Sequence, residues 1–433
     1  MAIEPLTLEK THQPAWKTKL DYIVETMREM SRQTDPQEMV RAYVRRIQAM
    51  LPAERRISLS RRGLSAPQAR ITRYSEWDAE INPWQNQNRL PILKGGLLGD
   101  LIHANEPRII DHLDLADDDP AHDYLHDIRS IMAIPLYDQG EALNMVVIGK
   151  SEPAAFDREQ FPEWVWMSNL FGRATHTLVL ADELKHAYEK LNLEVEKVGQ
   201  IQRTLLPDPL PQIPTLDLAA YYQTSHRAGG DYYDCFSLPE GRWGLFVSDV
   251  SGHGPTAAVI GAMMHGLGHA YSGPAFPPSE LLTFLNTNLV KHYTSRIGAF
   301  VTAFYGIYDP ANRTMNYSSA GHNPPRLKRC GGGTVAALDR AQSLPMGITE
   351  EAIYTDATHT FVPHDQLILY TDGITEAMNG EGAIFGVERL DRVLGSCAET
   401  AEDLIGAVIR AVDDFAQGHP ADDDRTMIVA KVS

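Results

Sequence analysis

Four aspartates in the C-terminal half of the chain share a sequence context that suits metal chemistry. They are Asp231 in RAGGDYYD, Asp249 in LFVSDVSGHG, Asp372 in LILYTDGITEA and Asp423 in HPADDDRTMIVAKV. Each stands at or beside the end of an apolar, strand-like run, and three of them have glycine within three residues. Carboxylates are seldom placed so close to a core without a cation, and lysine and arginine are scarce in these segments. The pattern therefore predicts a bound metal as the counter-charge.

The type of ligand limits which metals could bind here and which reaction they could support. Oxygen ligands without a nearby cluster of histidine or cysteine favour Mg²⁺ or Mn²⁺ over zinc. The glycines beside the aspartates would let a backbone carbonyl or a substrate phosphate approach the ions. Two ions bridged by one carboxylate would polarise a phosphoryl oxygen and supply a hydroxide nucleophile near neutral pH. We therefore expect hydrolysis of a phosphoester without a covalent protein intermediate.

The elements that must position these aspartates are predicted to be strands interleaved with helices. From about residue 215 on, strand-like runs such as RWGLFVSDV and AFVTAFYGIYD alternate with helical segments such as AEDLIGAVIRAVDDFAQ. Some strands succeed one another without an intervening helix, which favours antiparallel sheets with helices packed outside. The expected class is α+β, and a doubly wound parallel fold is not expected.

The N-terminal half is predicted to contain its own helices and strands. Apolar residues recur at helical spacing from about residue 20 to 50, and Thr34-Asp35-Pro36 divides this stretch into two helices. Short strand-like runs follow, and the two runs that flank Asp138-Gln139-Gly140-Glu141 are predicted to form a hairpin. A long helix is expected to begin near Phe161.

That helix is predicted to continue as a linker with a heptad-like apolar seam, which Glu194 interrupts. The seam residues are Leu180, Leu184, Ala187, Leu191, Val198, Ile201 and Leu205. Such a seam is typical of a parallel two-chain coiled coil, which would make a homodimer; a helix packed on its own domain is the alternative. Four prolines in LLPDPLPQIP are expected to end the helix near residue 207.

Charge and cysteine content exclude several classes of protein. The formal net charge of -18 argues against binding to nucleic acid or to anionic membranes, because either needs a concentrated basic face. Cys235, Cys330 and Cys397 are far apart in sequence, so neither a disulfide framework nor a structural zinc site is expected. Residues 1–19 lack the apolar core of a leader, and no stretch approaches a membrane span. These features predict a cytoplasmic protein.

Several motifs of the C-terminal half occur together in the order seen in one enzyme family. The motifs are AGGDYYD, SDVSGHGPTAAV, SSAGHNPP, LPMGI, YTDGITEA and DDDRTMIV. From about residue 200 to 433 the chain resembles the metal-dependent protein phosphatase (PPM) family, in its bacterial branch typified by SpoIIE and RsbU. The resemblance implies an α/β/β/α sandwich with two divalent ions, Mn²⁺ or Mg²⁺, in a cleft. It also implies hydrolysis of phosphoserine or phosphothreonine in a protein substrate, such as a phosphorylated anti-sigma-factor antagonist.

The resemblance assigns roles to individual residues. Asp249 resembles the carboxylate that bridges the two ions, and the carbonyl of Val250 would join it at the second ion. Asp372 and Asp423 resemble the remaining ligands of the first ion, and Asp231 would hold the second ion or its waters.

Three further assignments stay open. Asp424 is an alternative to Asp423, because the run of three aspartates leaves the register uncertain by one. His253 is a candidate general acid, but it lies later in the chain than the family pattern expects, so a structural loop role is the alternative. Arg227 is a candidate for holding phosphate, and an ordinary surface charge is the alternative.

The N-terminal half resembles a GAF sensor domain over about residues 20 to 182, on the stretch from GLLGDLIHANEPRIID to EALNMVVIGKSEPAAFDREQ. The resemblance implies an α/β/α domain with a pocket beside the sheet for a small-molecule or protein effector. The predicted organisation is a sensor at 20–182, a helical linker at 183–206 and a phosphatase domain at 207–433.

Two other functions are compatible with parts of the sequence. One is a non-catalytic scaffold in which a phosphatase-like domain only binds, and the presence of all four aspartates argues against it. The other is a nucleotide cyclase, because GGD at residues 229–231 also opens a cyclase signature. That signature leaves the later TDG and DDRT motifs unexplained.

Overall fold

A long helix joins two structural units in the chain. The computed structural model describes residues 15–294, 298–332 and 334–433, and its units are Met1–Tyr188 and Glu189–Ser433. The stretch 1–14, in which no leader is expected, lies outside the described residues. The division falls inside the long helix and within the predicted linker. The boundaries of that linker stay a prediction.

The N-terminal unit is an antiparallel sheet with helices on both faces, with strand order β3-β2-β1-β6-β5-β4. Its elements are α1 (Ala15–Ser31), α2 (Pro36–Met50), β1 (Arg55–Ser60), β2 (Ala69–Tyr74), β3 (Ile92–Leu93), α3 (Gly96–Ala104), β4 (Arg108–Ile110), α4 (His122–Leu125), β5 (Ser130–Asp138), β6 (Glu141–Lys150) and α5 (Phe161–Arg203), which continues into the second unit. Residues of α2 and α5 pack on one face of the sheet, and residues of α3 and α4 pack on the other. This is the predicted α/β/α arrangement.

The local signals in this unit behave as expected. The Asp35 carboxylate caps α2 by accepting a hydrogen bond from the backbone N–H of Glu38 at 2.8 Å, and Pro36 occupies the first turn. Strands β5 and β6 form the predicted hairpin, with Asp138 paired to Glu141. The long helix begins at Phe161.

The C-terminal unit consists of two sheets and their covering helices. Its elements after α5 are β7 (Leu216–Gln223), β8 (Tyr232–Ser237), β9 (Trp243–Val250), α6 (Pro255–Ala270), α7 (Pro278–Leu289), a π-helical turn (Val290–Thr294), β10 (Val301–Asp309), β11 (Thr314–Ala320), β12 (Arg326–Lys328), β13 (Val335–Ala337), β14 (Gln342–Ser343), β15 (Ala357–Thr360), β16 (Gln366–Tyr370), the short α8 (Asp372–Thr375), α9 (Val387–Leu394), α10 (Ala401–Ala416) and β17 (Arg425–Val432). One sheet has the order β14-β11-β10-β9-β8, with β15 also paired to β11, and the other has the order β13-β12-β16-β17-β7.

These layers form the predicted α/β/β/α sandwich. The central core lies between the sheets and includes Val247 and Phe304 from one sheet and Leu369 and Ile428 from the other. Helices α6 and α7 contribute to a second core on the outer face of the first sheet, and α9 and α10 contribute to a third on the second sheet. Burial of apolar area on both faces of each sheet is the main driving force that holds such a unit together.

Several apolar residues of α5 are exposed within the single chain. Leu180, Leu184 and Leu191 are 51%, 72% and 62% exposed. These are seam positions, and side chains of this kind are usually covered in a coiled coil. Among the described helices, none combines the length and the apolar composition that a membrane crossing requires.

The expectation about cysteines is wrong for one pair. Cys330 and Cys397 form a disulfide, with their Cα atoms 5.8 Å apart. The two lie 67 residues apart in sequence, but they follow β12 and α9, which are held together by a two-point ion pair between Arg326 and Asp391. Distance along the sequence therefore did not indicate distance in the fold.

Candidate metal centre

The four aspartates come from the ends of two neighbouring strand pairs. Asp231 directly precedes β8, and Asp249 lies next to the last residue of β9, its antiparallel partner. Asp372 follows β16, and Asp423 lies just before β17, which is also an antiparallel pair. The end of one antiparallel strand lies beside the start of its partner, so two carboxylates of each strand pair lie at the same end of their sheet.

Asp231 is the most deeply placed of the four, with 1% of its surface exposed. Its Oδ2 accepts hydrogen bonds from the hydroxyls of Thr371 at 2.7 Å and Thr426 at 2.5 Å. Burial, followed by the charge of Asp249, raises the pKa of Asp231 well above its usual range. Thr371 directly follows β16 and Thr426 lies in β17, so these bonds link the Asp231 carboxylate to the second sheet.

Asp249 occupies the centre of the charge cluster. Burial raises its pKa to about 8, and the charges of Asp372, Asp423 and Asp424 add to that effect. Burial likewise raises the pKa of Asp372 to about 6, and the charge of Asp423 contributes. Neighbouring carboxylates thus destabilise one another's charged form, which is the electrostatic state that a divalent cation relieves.

The structure distinguishes Asp423 from Asp424. The Asp424 side chain is buried and accepts hydrogen bonds from the backbone N–H of Ser225 at 2.8 Å and of Gly230 at 2.6 Å. Asp423 is exposed, and its charge acts on Asp249 and Asp372. Asp424 therefore holds the loop before β8, and its carboxylate is occupied there, whereas Asp423 is available to bind an ion.

Two glycines permit the close approaches that this site needs. A Cβ on Gly230 would lie 2.7 Å from the carbonyl oxygen of Val250, so the loop before β8 packs directly on the end of β9. A Cβ on Gly373 would lie 2.0 Å from the carbonyl oxygen of Asp424, so the segment after β16 packs directly on the start of β17. Any larger residue would separate the aspartates that these segments carry.

The remaining sequence candidates occupy the rim. His253 is exposed and its ring stacks on that of His226, with centroids 4.3 Å apart and an interplanar angle of 3°. Burial raises the pKa of Asp423, and the neighbouring His253 and His226 oppose part of that rise. Arg227 is exposed and forms a long ion pair with Glu196 of α5 at 3.8 Å, which agrees with an ordinary surface charge.

Sequence reasoning missed the residues that position the aspartates. Thr371 and Thr426 lie inside the motifs YTDG and DDRT, directly before Asp372 and just after Asp424, but the motifs gave neither threonine a role. A threonine beside an acidic residue is too common in sequences to be a signal by itself. His226 was missed as well, because nothing in the sequence pairs it with His253.

The donor set fits divalent cations that prefer oxygen. Among the ion pairs of the described residues, none joins lysine or arginine to Asp231, Asp249, Asp372 or Asp423. Clustered carboxylates with raised pKa values and without a lysine or arginine partner match a metal centre better than a structural ion-pair network. The candidate ligands are thus these four side chains and the Val250 carbonyl.

Metal affinity at this centre should rise with pH between about 6 and 8. Asp372 and Asp249 have pKa values of about 6 and about 8 in the metal-free protein, so protons must leave before ions bind. Calorimetric titration with Mn²⁺ at pH 6, 7 and 8 measures this, and buffers of different ionisation enthalpy count the released protons. An affinity independent of pH, with no proton release, would contradict the assignment.

Comparisons with known proteins agree with the fold and the motifs. Residues 239–433 match the family model described as Stage II sporulation protein E (SpoIIE), and residues 35–161 match the GAF domain. The chain thus carries a SpoIIE domain, of the PPM phosphatase type, behind a GAF domain. The SiaA-PP2C domain of Pseudomonas aeruginosa has a similar fold, with a TM-score of 0.51 and 19% identity over 57% of this chain and 99% of that one.

Three curated relatives align with parts of the chain. Phosphoserine phosphatase RsbP of Bacillus subtilis (strain 168) is 30% identical over 43% of this chain and 47% of its own. Phosphoserine phosphatase RsbU of the same organism is 27% identical over 57% and 72%, and Protein IcfG of Synechocystis is 25% identical over 58% and 43%. The chain therefore spans less than half the length of IcfG and RsbP.

Proposed function

We propose that this chain, with a SpoIIE domain behind a GAF domain, is a sensor-regulated, metal-dependent phosphoserine/phosphothreonine protein phosphatase. The observation that carries the proposal is the meeting of four carboxylates from two sheets without a basic partner among the described residues. The SpoIIE match and the phosphoserine phosphatases among the relatives support it.

The proposed centre holds two ions, Mn²⁺ or Mg²⁺. Asp249 would bridge them, Asp372 and Asp423 would complete the first, and Asp231 with the Val250 carbonyl would hold the second. When bound, such ions polarise a phosphoryl oxygen and lower the pKa of water. Thr371 and Thr426 orient the Asp231 carboxylate through their hydroxyls. The exposed His253, steadied by its stack on His226, is positioned at the rim to give a proton to a leaving oxygen.

The proposed substrate class rests on the match of the C-terminal part of the chain to SpoIIE. A small phosphorylated regulator, such as an anti-sigma-factor antagonist, is the proposed substrate. The net charge of -18 supports neither nucleic acid nor an anionic membrane as a partner. The proposed compartment is the cytoplasm, where kinases that use ATP make such phosphoproteins. In that reducing compartment, the Cys330–Cys397 disulfide of the structure would be reduced to two thiols.

The proposed sensor input enters through the N-terminal unit. A cavity of about 970 Å³ lies there between helices α2 and α5 and strands of the sheet, and its lining includes Tyr43, Arg56, Phe171 and Thr175. Thr175 is buried and its hydroxyl has no hydrogen-bond partner within the described part of the chain, so the cavity offers a polar group to an effector as well as an apolar wall. The effector is proposed to be a small molecule or a protein segment.

The proposed output passes through the end of α5. The Gln202 amide donates to the carbonyl of Gly229 at 2.8 Å, and the Gly229 N–H donates to the Gln202 side-chain oxygen at 3.1 Å. Gly229 lies two residues before Asp231, so this helix end directly holds a candidate ligand loop. Pairing of two chains through the exposed seam of α5 would make the helix rigid, so that it could transmit a change from the sensor domain to the Asp231 loop. A homodimer is therefore proposed.

A direct test is hydrolysis of a phosphoserine peptide and of an aryl phosphate by the full chain, with Mn²⁺, Mg²⁺ or a chelator. Activity should require metal. Asp423→Asn should lower it by at least about tenfold, which is about 1.4 kcal/mol of transition-state stabilisation, because one proposed ligand of an ion loses its charge. Its neighbour Asp422, exposed on the same loop, provides the matched control, and Asp422→Asn should retain activity. Metal-independent turnover would contradict the proposed metal centre, and no turnover with metal bound would favour the non-catalytic scaffold.

A further inference from the structure

Two histidines and a buried aspartate meet on the side of β8 that faces α6. The group, here called the α6–β8 cluster, consists of Asp234, His265 and His269, whose ligand atoms all lie within 4.8 Å of one another. Nε2 of His269 lies 2.8 Å from Oδ2 of Asp234, and Nδ1 of His265 lies 3.8 Å from the same oxygen. The three side chains therefore converge on one point.

Regular backbone geometry produces this convergence. His265 and His269 are four residues apart on α6, so their side chains lie on one face of the helix, with ring centroids 4.3 Å apart. Tyr232 and Asp234 are two residues apart on β8 and so share one face of the strand. The Tyr232 hydroxyl contacts both the Asp234 carboxylate and, at 2.9 Å, Nδ1 of His265. Strand β8 and helix α6 thus hold all four polar groups close to one another.

The buried carboxylate of the cluster is paired with titratable rings only. The Asp234 side chain is 7% exposed, and among the described residues its ion-pair partners are the two histidines, with no lysine or arginine. Its Oδ1 accepts a hydrogen bond from the backbone N–H of Cys235, at 2.7 Å. A divalent ion would balance the buried carboxylate without protonating either ring.

We propose that the α6–β8 cluster is a mononuclear site for a transition metal of the zinc type. Two imidazole nitrogens and one carboxylate oxygen form a three-ligand set, and the half-exposed ring of His269 leaves a fourth position open to water. This donor set differs from the oxygen-only set of the candidate centre at Asp249, so the two sites select different ions. An ion here would join β8, which begins after Asp231, to α6, which begins shortly after Asp249.

Zinc binding by the full chain tests the proposal. Protein stripped with a chelator would be titrated with Zn²⁺ against a chromophoric chelator, in excess Mg²⁺ to occupy oxygen sites, and then with Co²⁺ as a spectroscopic probe. Wild type should bind one equivalent of Zn²⁺, and His269→Gln should not bind it. With Co²⁺, wild type should show the absorption of a four-coordinate ion, and His269→Gln should lack that absorption. Asp372→Asn should still bind this equivalent of Zn²⁺, because the candidate centre at Asp249 is not involved.

His126→Gln is the matched control. His122 and His126 are also four residues apart at a helix, with ring centroids 5.9 Å apart, but no buried carboxylate of the described residues joins them. This variant should bind zinc as wild type does. Circular dichroism establishes that His269→Gln is folded, and His265→Gln provides a second variant with the same expected loss. Retention of the equivalent and of the Co²⁺ spectrum in folded His269→Gln would overturn the proposal, as would zinc binding that only Asp372→Asn removes.

Discussion

Asp249→Asn should abolish phosphoserine hydrolysis while making the metal-free protein more stable. The loss of activity should be roughly 10³-fold or more, because a bridging carboxylate supports both ions and about 4 kcal/mol of transition-state stabilisation depends on them. Steady-state assays with saturating Mn²⁺ measure it. Activity within tenfold of wild type would show that Asp249 is not a ligand of the proposed metal centre.

The gain in stability follows from the sign of the pKa shift. Folding raises the pKa of Asp249 from 3.8 to about 8, so the folded state favours the neutral acid. Its contribution to stability is complete below pH 3.8 and is lost as pH rises through about 8. Asparagine cannot ionise and therefore avoids this loss. At pH 8 the metal-free variant should melt at least about 2 °C above metal-free wild type, which is about 1 kcal/mol in a domain of this size.

Asp309→Asn provides a control in which the change in stability should have the opposite sign. Asp309 accepts hydrogen bonds from the side chain of Asn312 and the N–H of Ala311, each at 2.9 Å, and its pKa is lowered mainly by Asn312. Its replacement should slightly destabilise the protein and leave turnover unchanged. If Asp249→Asn also destabilised the metal-free protein at pH 8, repulsion among the carboxylates would not control the stability of the metal-free centre.

Gly199→Ala should lower activity roughly a hundredfold, although the substitution lies in the helix and outside the metal centre. A Cβ at this position would lie 1.8 Å from the carbonyl oxygen of Arg227. The helix and the 227–231 loop must then separate, and displacement of a catalytic group by about 1 Å can cost about 10²-fold. Isolated helix propensity predicts the opposite, because alanine stabilises a helix interior by about 1 kcal/mol relative to glycine.

Gly266→Ala is the matched substitution. Gly266 is also within a helix, α6, and a Cβ there would meet nothing within 4 Å. It should leave activity unchanged. Metal titration separates the causes: in Gly199→Ala, the affinity for Mn²⁺ should fall together with turnover. Full activity in Gly199→Ala would show that the end of α5 does not control the Asp231 loop.

Much of the fold was predictable because its signals are local. The hairpin at Asp138–Glu141, the cap at Asp35 and the strands beside the aspartates follow from alternation and turn chemistry. The sandwich itself came from a resemblance, which the layers confirm. Proximity between distant segments was not predictable in the same way, and the Cys330–Cys397 pair was missed for that reason.

The finer structure of the candidate centre depended on tertiary contacts. The preference for Asp423 over Asp424 as a candidate ligand rests on the hydrogen bond that Gly230 donates to Asp424 across 194 residues. The bonds from Thr371 and Thr426 to Asp231 cross from one sheet to the other, and no sequence periodicity reports such a contact. Asp234, His265 and His269 were likewise separate residues in the sequence until a strand and a helix brought them together.

Because two different sheets supply the four aspartates, metal binding at the proposed centre would make metal availability part of the protein's folding equilibrium. Ions that bind only the closed sandwich stabilise it by mass action, by about 2.7 kcal/mol when free metal is 100 times its dissociation constant. A cell short of metal would thus hold a chain that is both inactive and easier to open, and proteases act on opened chains. Metal supply would then set the lifetime of the protein as well as its turnover rate.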